Sequence, residues 1–92
     1  MIELLFFSGE VCSVCQALKP KLLDEVSSNF PKVIIQVIKT NRQMEFAAQH
    51  LVFTVPVVII LVNKKESYRF ARSFSVYEVT QKLECIIQLQ KG

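Results

Sequence analysis

The hydrophobic residues of the chain fall into seven groups with two kinds of spacing. Four groups are nearly continuous or alternate with polar residues, as is typical of strands buried on one or both faces. Three groups repeat every three or four positions, as in helices that bury one side. The spacing predicts strands at 2–7, 33–38, 57–62 and 67–72, and helices that begin near residues 11, 40 and 75. The predicted order is βαβαββα.

The first three elements predict a right-handed crossover between parallel strands. The segment Ser8-Gly9-Glu10 ends the first apolar run, and from Val11 onward the apolar positions recur at helical spacing. Pro20 lies within this helix, where we expect it to kink the helix without necessarily ending it. The first two strands are therefore expected to lie side by side and point the same way.

Two helix starts have the form of a capping box, in which two side chains hydrogen-bond each other's backbone amides. Thr40 is followed three positions later by Gln43, and Ser75 in the same way by Glu78. The helix after Thr40 is expected to bury Met44, Ala47, Ala48 and Leu51. The last helix is expected to bury Val76, Val79, Leu83, Ile86 and Ile87.

The composition predicts one small domain, 1–92, that folds without disulfide cross-links. The chain has 92 residues, of which 51% are hydrophobic, and three cysteines, too few for a secreted disulfide scaffold. No secretory leader is visible, and the longest apolar run, at 55–62, is far too short to span a membrane. The net charge of +3 is spread along the chain without a basic cluster. We therefore expect a cytoplasmic monomer without a membrane or nucleic-acid partner.

Two cysteines three positions apart, Cys12 and Cys15, lie where the first strand gives way to a helix. A thiol at a helix N-terminus faces unpaired backbone N–H groups and the positive end of the helix dipole, which favour the thiolate. The second thiol lies one turn further along the same face, close enough for a reversible disulfide. The pattern predicts that Cys12 attacks a target disulfide and that Cys15 resolves the mixed disulfide.

Two other interpretations of the pair stay open. Both thiols fit a core as small hydrophobes, because free cysteine is among the most buried residue types. A zinc site needs two further ligands, for which His50 and Cys85 are the candidates, and they lack a second paired spacing. We expect His50 to cap or pack at the end of the second helix, and Cys85 to lie off the core face of the last. No cofactor beyond the thiols is implied.

An apolar strand leads into C-S-V-C, Pro20 follows Cys15 by five positions, and Val55-Pro56 opens a hairpin that precedes a C-terminal helix. In these features the chain resembles the thioredoxin family over nearly its whole length, in a short form of the size of glutaredoxins. The resemblance implies an α/β, thioredoxin-like fold with a mixed four-stranded sheet flanked by three helices.

The resemblance also implies a thiol–disulfide oxidoreductase that acts on protein disulfides. It implies that the Val55–Pro56 peptide bond is cis and faces the cysteines, and that the backbone of Val55 pairs with a bound substrate segment. The substrate-binding residues that follow are Val11, Ser13, Val14, Val55 and Pro56. A reductase or an oxidant would recycle the pair, and a cytoplasmic address favours reduction.

The chain departs from the family pattern around the cysteines. Thioredoxins usually have W-C-G-P-C where this chain has V-C-S-V-C. Phe6 stands where thioredoxins keep a buried acid that assists proton transfer, and Glu10 places a negative charge near Cys12, which opposes thiolate formation. These departures keep two alternatives open: a binding or adaptor module with weak or no redox turnover, and a glutathione-linked, glutaredoxin-like protein.

Overall fold

The structure, a computed structural model, describes residues 1–91 of the chain and the side chains of residues 1–90. Its elements are β1 (Ile2–Ser8), α1 (Ser13–Asn29), β2 (Ile34–Lys39), α2 (Met44–Gln49), β3 (Val57–Val62), β4 (Lys65–Ala71) and α3 (Val76–Lys91). The predicted order βαβαββα is confirmed. The predicted bounds of β3 match the structure, whereas the other strands are shifted at one or both ends.

A mixed four-stranded sheet with the strand order β2-β1-β3-β4 forms the centre of the molecule. β1 pairs in parallel with β2 and antiparallel with β3, and β3 pairs antiparallel with β4. Asn63 and Lys64 have φ values of 51° and 72°, so the β3–β4 hairpin turns on two residues. The predicted strands at 57–62 and 67–72 leave a turn of four residues between them, and this is wrong, because Lys65 and Glu66 already belong to β4.

The helices cover the two faces of the sheet unequally. On one face, α1 and α3 pack over a core that contains Leu4, Phe6, Leu22, Val26, Val79 and Leu83. On the other face, α2 packs over Leu5, Phe7, Ile38, Val57 and Ile59. Successive residues of a strand point to opposite faces, so neighbouring apolar residues of β1 enter different cores. None of the helices in the described range is long and apolar enough to cross a membrane.

The start of α2 differs from the prediction. Gln43 is the N-cap residue of this helix, and no side chain makes a capping hydrogen bond there. The Thr40 hydroxyl donates instead to the carbonyl oxygen of Ser8, at 3.3 Å. The predicted capping box of Thr40 and Gln43 is therefore wrong, because the Thr40 hydroxyl bonds to Ser8, which is distant in sequence, and not to the start of α2.

The buried side of α2 is also smaller than predicted. Of the four residues expected to be buried, only Ala47 is, whereas Met44, Ala48 and Leu51 are exposed. A helix of six residues makes fewer than two turns, so it presents only a short stripe to the sheet.

α2 ends in a Schellman motif that turns the chain back toward the sheet. Leu51 has a φ of 57°, and its N–H donates to the carbonyl of Ala48 at 3.0 Å. The N–H of Val52 donates to the carbonyl of Ala47 at 2.8 Å, which completes the motif. The turn buries Val52 and sends the following residues toward the end of the sheet where α1 begins.

The predicted capping box at the start of α3 is confirmed. The N–H of Ser75 donates to Glu78 Oε2, and the N–H of Glu78 donates to Ser75 Oγ, both at 3.1 Å. The predicted inward-facing side of α3 is confirmed as well, because Val79, Leu83 and Ile86 are buried, whereas Val76 and Ile87 are half-buried against the same core.

Replacing the capping serine, Ser75→Ala, is expected to lower the free energy of unfolding by about 1 kcal/mol, because an amide at the start of α3 loses its partner. In a domain of this size, that change corresponds to a drop in Tm of roughly 4–8 °C, measurable by calorimetry. The matched control is Ser73→Ala, since Ser73 is exposed and its hydroxyl makes no hydrogen bond within the described residues. Equal shifts for the two variants would contradict the capping role.

Candidate active site

Cys12 lies at the N-terminus of α1, immediately after the loop that follows β1. Its backbone is extended, with φ −145° and ψ 98°, and its carbonyl accepts a hydrogen bond from the Gln16 N–H at 3.1 Å. The Cys15 N–H donates to Cys12 Sγ at 3.2 Å. No acidic residue lies in the first turn of α1. The predicted position at the helix start is confirmed, and there the amides and the helix dipole favour a negative charge on this sulfur.

Cys12 and Cys15 form a disulfide, but the two residues differ in exposure. Their Cα atoms lie 5.2 Å apart, within the usual range for a disulfide. Cys15 is 3% exposed and belongs to the core under α1, whereas Cys12 is half-buried at its edge. Cys12 is therefore the more accessible of the two residues.

The Val55–Pro56 peptide bond is cis, as the resemblance implied. Pro56 is buried, and half-buried Val55 packs against the same core as Cys12. Val55 Cγ2 lies 3.1 Å from the point that a Cβ on Gly9 would occupy. Val55 therefore borders the loop that leads into Cys12, and the absence of a side chain at Gly9 lets the two segments approach.

Exposed apolar side chains flank these residues in the sequence. Val11 is 98% exposed and Val14 is 55% exposed, on either side of Cys12, and Ser13 between the cysteines is exposed as well. Phe53, two positions before Val55, is 78% exposed, and no motif in the sequence points to it. The substrate-binding role of Val11, Ser13 and Val14 stays a prediction.

The two departures noted around the cysteines have clear structural positions. Phe6 is fully buried in the core that contains Cys15, so an aromatic ring fills the position where the resemblance implied an acid. Glu10 is exposed, and its Oε2 accepts a hydrogen bond from Asn41 Nδ2 at 3.1 Å. Because solvent screens an exposed charge, the influence of Glu10 on Cys12 is weaker than its place in the sequence suggested.

His50 and Cys85 lie where the sequence placed them. His50 is the C-cap residue of α2, and its ring packs 4.7 Å from Phe46 and 6.0 Å from Phe7, measured between centroids. Cys85 is a free, exposed thiol on α3. Within the described residues, no group of three or more His, Cys, Asp or Glu side chains is arranged to hold a metal ion.

Arg69, on β4, makes contacts that no pattern in the sequence indicated. Its guanidinium pairs with the Glu66 carboxylate and donates to the backbone carbonyls of His50 and Leu51. The hydrogen bond from Arg69 lowers the pKa of the Glu66 carboxyl, although partial burial opposes that shift, and the same hydrogen bond raises the pKa of Arg69. The two carbonyls that Arg69 contacts lie 18 and 19 residues earlier in the chain, so no local sequence pattern indicates these contacts.

The chain is similar in sequence and in structure to thioredoxins and to a thioredoxin-like protein. The chain is 32% identical over 88 residues to thioredoxin-like protein YdfQ of Bacillus subtilis (strain 168), covering 96% of this chain and 78% of that protein. Thioredoxin 1 from Thermosipho africanus matches in structure with a TM-score of 0.89 and 39% identity, over 98% of this chain and 99% of that chain.

A more distant structural match is the thioredoxin of Fasciola hepatica. Its TM-score is 0.75 at 22% identity, over 95% of this chain and 79% of that chain, which supports the fold. No protein-family profile matches the chain.

Proposed function

The chain belongs to the thioredoxin-like family of thiol–disulfide oxidoreductases, and from that premise we propose that Cys12 is the attacking nucleophile and Cys15 the resolving thiol. The observation that carries this assignment is the difference in exposure between the two sulfur-bearing residues. Cys12 is accessible at the positive end of α1, where the thiolate is favoured, whereas Cys15 is buried behind it.

The reaction consists of two thiol–disulfide exchanges. The Cys12 thiolate attacks one sulfur of a substrate disulfide, the substrate S–S bond breaks, and the leaving sulfur departs as a thiolate that takes a proton from water. Cys15 loses its proton and attacks Cys12 Sγ, the mixed disulfide breaks, and the second substrate sulfur leaves. Two electrons pass from the dithiol to the substrate, and the chain is left with the Cys12–Cys15 disulfide seen in the structure. Phe6 has no group that accepts a proton, so the Cys15 proton passes to solvent or to the leaving thiolate.

The substrate binds as an extended segment beside Val55. The amide and carbonyl of Val55 make no hydrogen bond to another described residue, so both are free to pair with a passing strand. In this proposal the exposed residues Val11, Ser13 and Val14 contact the substrate beside Cys12, and buried Pro56 supports the backbone of Val55. Backbone pairing tolerates many sequences, which suits protein disulfides as the substrate class.

Family membership implies, in general terms, protein disulfides as substrates and a reductase that recycles the pair. The finer proposal is a monomer that works in the cytoplasm, where a reducing environment keeps the two thiols reduced. The scattered net charge of +3 gives no basis for a nucleic-acid partner, and the cycle as written needs no membrane and no cofactor beyond the thiols.

The test is to trap the mixed disulfide with a Cys15→Ser variant in a Cys85→Ala background. After incubation with insulin, the variant is expected to carry an insulin chain at Cys12, because no resolving thiol remains. Mass spectrometry gives the adduct, and peptide mapping locates the bond. A Cys12→Ser variant in the same background should give no adduct. Failure of Cys15→Ser to form an adduct, or formation of one by Cys12→Ser, would refute the assignment.

A further inference from the structure

A β-bulge in β4 places two charged side chains on the same face of the sheet. The pairing of β4 with β3 skips Ser67, so that Glu66 lies opposite Leu61 and Arg69 lies opposite Ile59. Residues three apart in a regular strand point to opposite faces, and the extra residue reverses that relation. Both charges therefore lie on the face that α2 covers, where Leu61 and Ile59 belong to the core.

The guanidinium of Arg69 uses all three of its nitrogens. Nε and Nη2 donate to the two oxygens of the Glu66 carboxylate, each at 2.7 Å. Nη2 also donates to the carbonyl of His50 at 2.7 Å, and Nη1 donates to the carbonyl of Leu51 at 3.3 Å. This arrangement depends on the planar fork of arginine, which a lysine ammonium does not reproduce.

The carbonyls that Arg69 contacts belong to His50, the C-cap residue of α2, and to Leu51, the residue after it. Carbonyls at that end lack partners within the helix, and a cation there interacts favourably with the helix dipole. Leu51 has a φ of 57°, in the left-handed region that is unfavourable for a residue with a side chain. Such a conformation persists where contacts stabilise it, and the contacts of this turn include the Schellman hydrogen bonds and the one from Arg69 Nη1 to the Leu51 carbonyl.

The segment that follows this turn carries the proposed substrate contact. We call residues 51–56 the substrate loop, because Val55 and the cis peptide bond lie at its end. Its far end is also tied to the β4 side, since the Arg72 N–H donates to the carbonyl of Pro56 at 3.3 Å. The Arg69 side chain thus holds the start of the loop, and the backbone just after β4 holds its end.

We propose that Arg69 is a positioning residue: by joining Glu66 to the carbonyls of His50 and Leu51, it holds the substrate loop where Val55 can pair with an extended polypeptide. This inference rests on the proposed function. If Arg69 positions the loop, its loss weakens the binding of disulfides that belong to a polypeptide, because such a substrate pairs with Val55. A small disulfide without a backbone makes no such pairing and is unaffected by the loop.

The test compares two disulfide substrates with the Arg69→Met variant. The KM for insulin is expected to rise by about 5- to 50-fold with kcat within about twofold, because the loop no longer presents Val55 in place. Turnover of hydroxyethyl disulfide should stay within about twofold of wild type. The matched control is Lys65→Met, which removes one positive charge from an exposed position of the same strand and should change neither value. A purely structural role would lower turnover of both substrates in parallel.

Two further variants test whether the KM for insulin rises in proportion to the contacts that Arg69 loses. Arg69→Lys keeps the charge and loses the fork, so its KM for insulin should lie between those of wild type and Arg69→Met. Glu66→Gln keeps the carbonyl contacts of Arg69 and weakens its anchor, and should raise the KM by about two- to fivefold. If Arg69→Met does not fold, Glu66→Gln supplies the same comparison of substrates.

An unchanged KM for insulin in the folded variants, or equal losses on both substrates, would overturn the positioning role while leaving the proposed function intact. Failure of the wild-type protein to reduce insulin would instead refute the proposed function and the inference with it.

Discussion

The variant Cys12→Ala is expected not to accelerate the reduction of insulin by dithiothreitol: the rate with the variant present should equal the rate with dithiothreitol alone. Cys12 supplies the sulfur that attacks the substrate, and removing a catalytic nucleophile removes the covalent route entirely. The turbidity that develops as reduced insulin precipitates, with dithiothreitol as the reductant, measures the rate. Cys15 cannot substitute, because it is 3% exposed and lies behind the helix start.

The control for this loss is Cys85→Ala. Cys85 is the free and exposed cysteine, so its thiol would be the source of any residual activity that did not depend on the pair. We expect Cys85→Ala to reduce insulin at the wild-type rate. If the Cys12→Ala variant kept its activity and the Cys85→Ala variant lost it, the reacting thiol would be Cys85 on α3.

The variant Phe6→Ala is expected to lower the free energy of unfolding by about 3–5 kcal/mol, because removing a buried ring loses its transfer free energy and leaves a cavity. Phe6 is fully buried between α1, α3 and the sheet. A domain of this length is stable by roughly 5–14 kcal/mol, so the loss is a large share of the total. Urea denaturation measures it as a lower midpoint with an unchanged slope.

Phe53→Ala is the matched control for this change. It deletes the same ring from a residue that is 78% exposed, and the expected change in free energy of unfolding is within about 0.5 kcal/mol. If the two phenylalanine variants unfolded at the same urea concentration, the ring of Phe6 would not be part of the core.

Features that depend on neighbouring residues could be predicted from the sequence. β3 was bounded correctly because six consecutive apolar residues mark a strand buried on both faces. The capping box of Ser75 and Glu78 formed as predicted because both partners lie within one helical turn. The capping box predicted at Thr40 does not form, because the Thr40 hydroxyl donates to the carbonyl of Ser8, 32 positions earlier in the chain. A local pattern does not reveal a contact between residues so far apart in sequence.

The candidate site divides in the same way. The position of Cys12 at a helix start follows from the nearby break in the apolar pattern, and the structure confirms it. The contacts of Arg69 could not be predicted, because they depend on the bulge at Ser67, which changes the face to which Glu66 points. The predicted strand at 67–72 left Glu66 outside it, and even on a longer regular strand residues three positions apart point to opposite faces.

The unequal covering of the sheet has a consequence for local unfolding. One face is held by two helices of 17 and 16 residues, whereas the other is covered by α2, whose six residues include a single buried side chain. Detaching α2 exposes less apolar surface than unfolding the whole chain, so it requires less free energy and occurs more often. The substrate loop follows α2 directly, whereas both cysteines belong to the long-helix side. Local opening of α2 therefore leaves the packing around both sulfurs in place, and with it Val55, which packs on the same side.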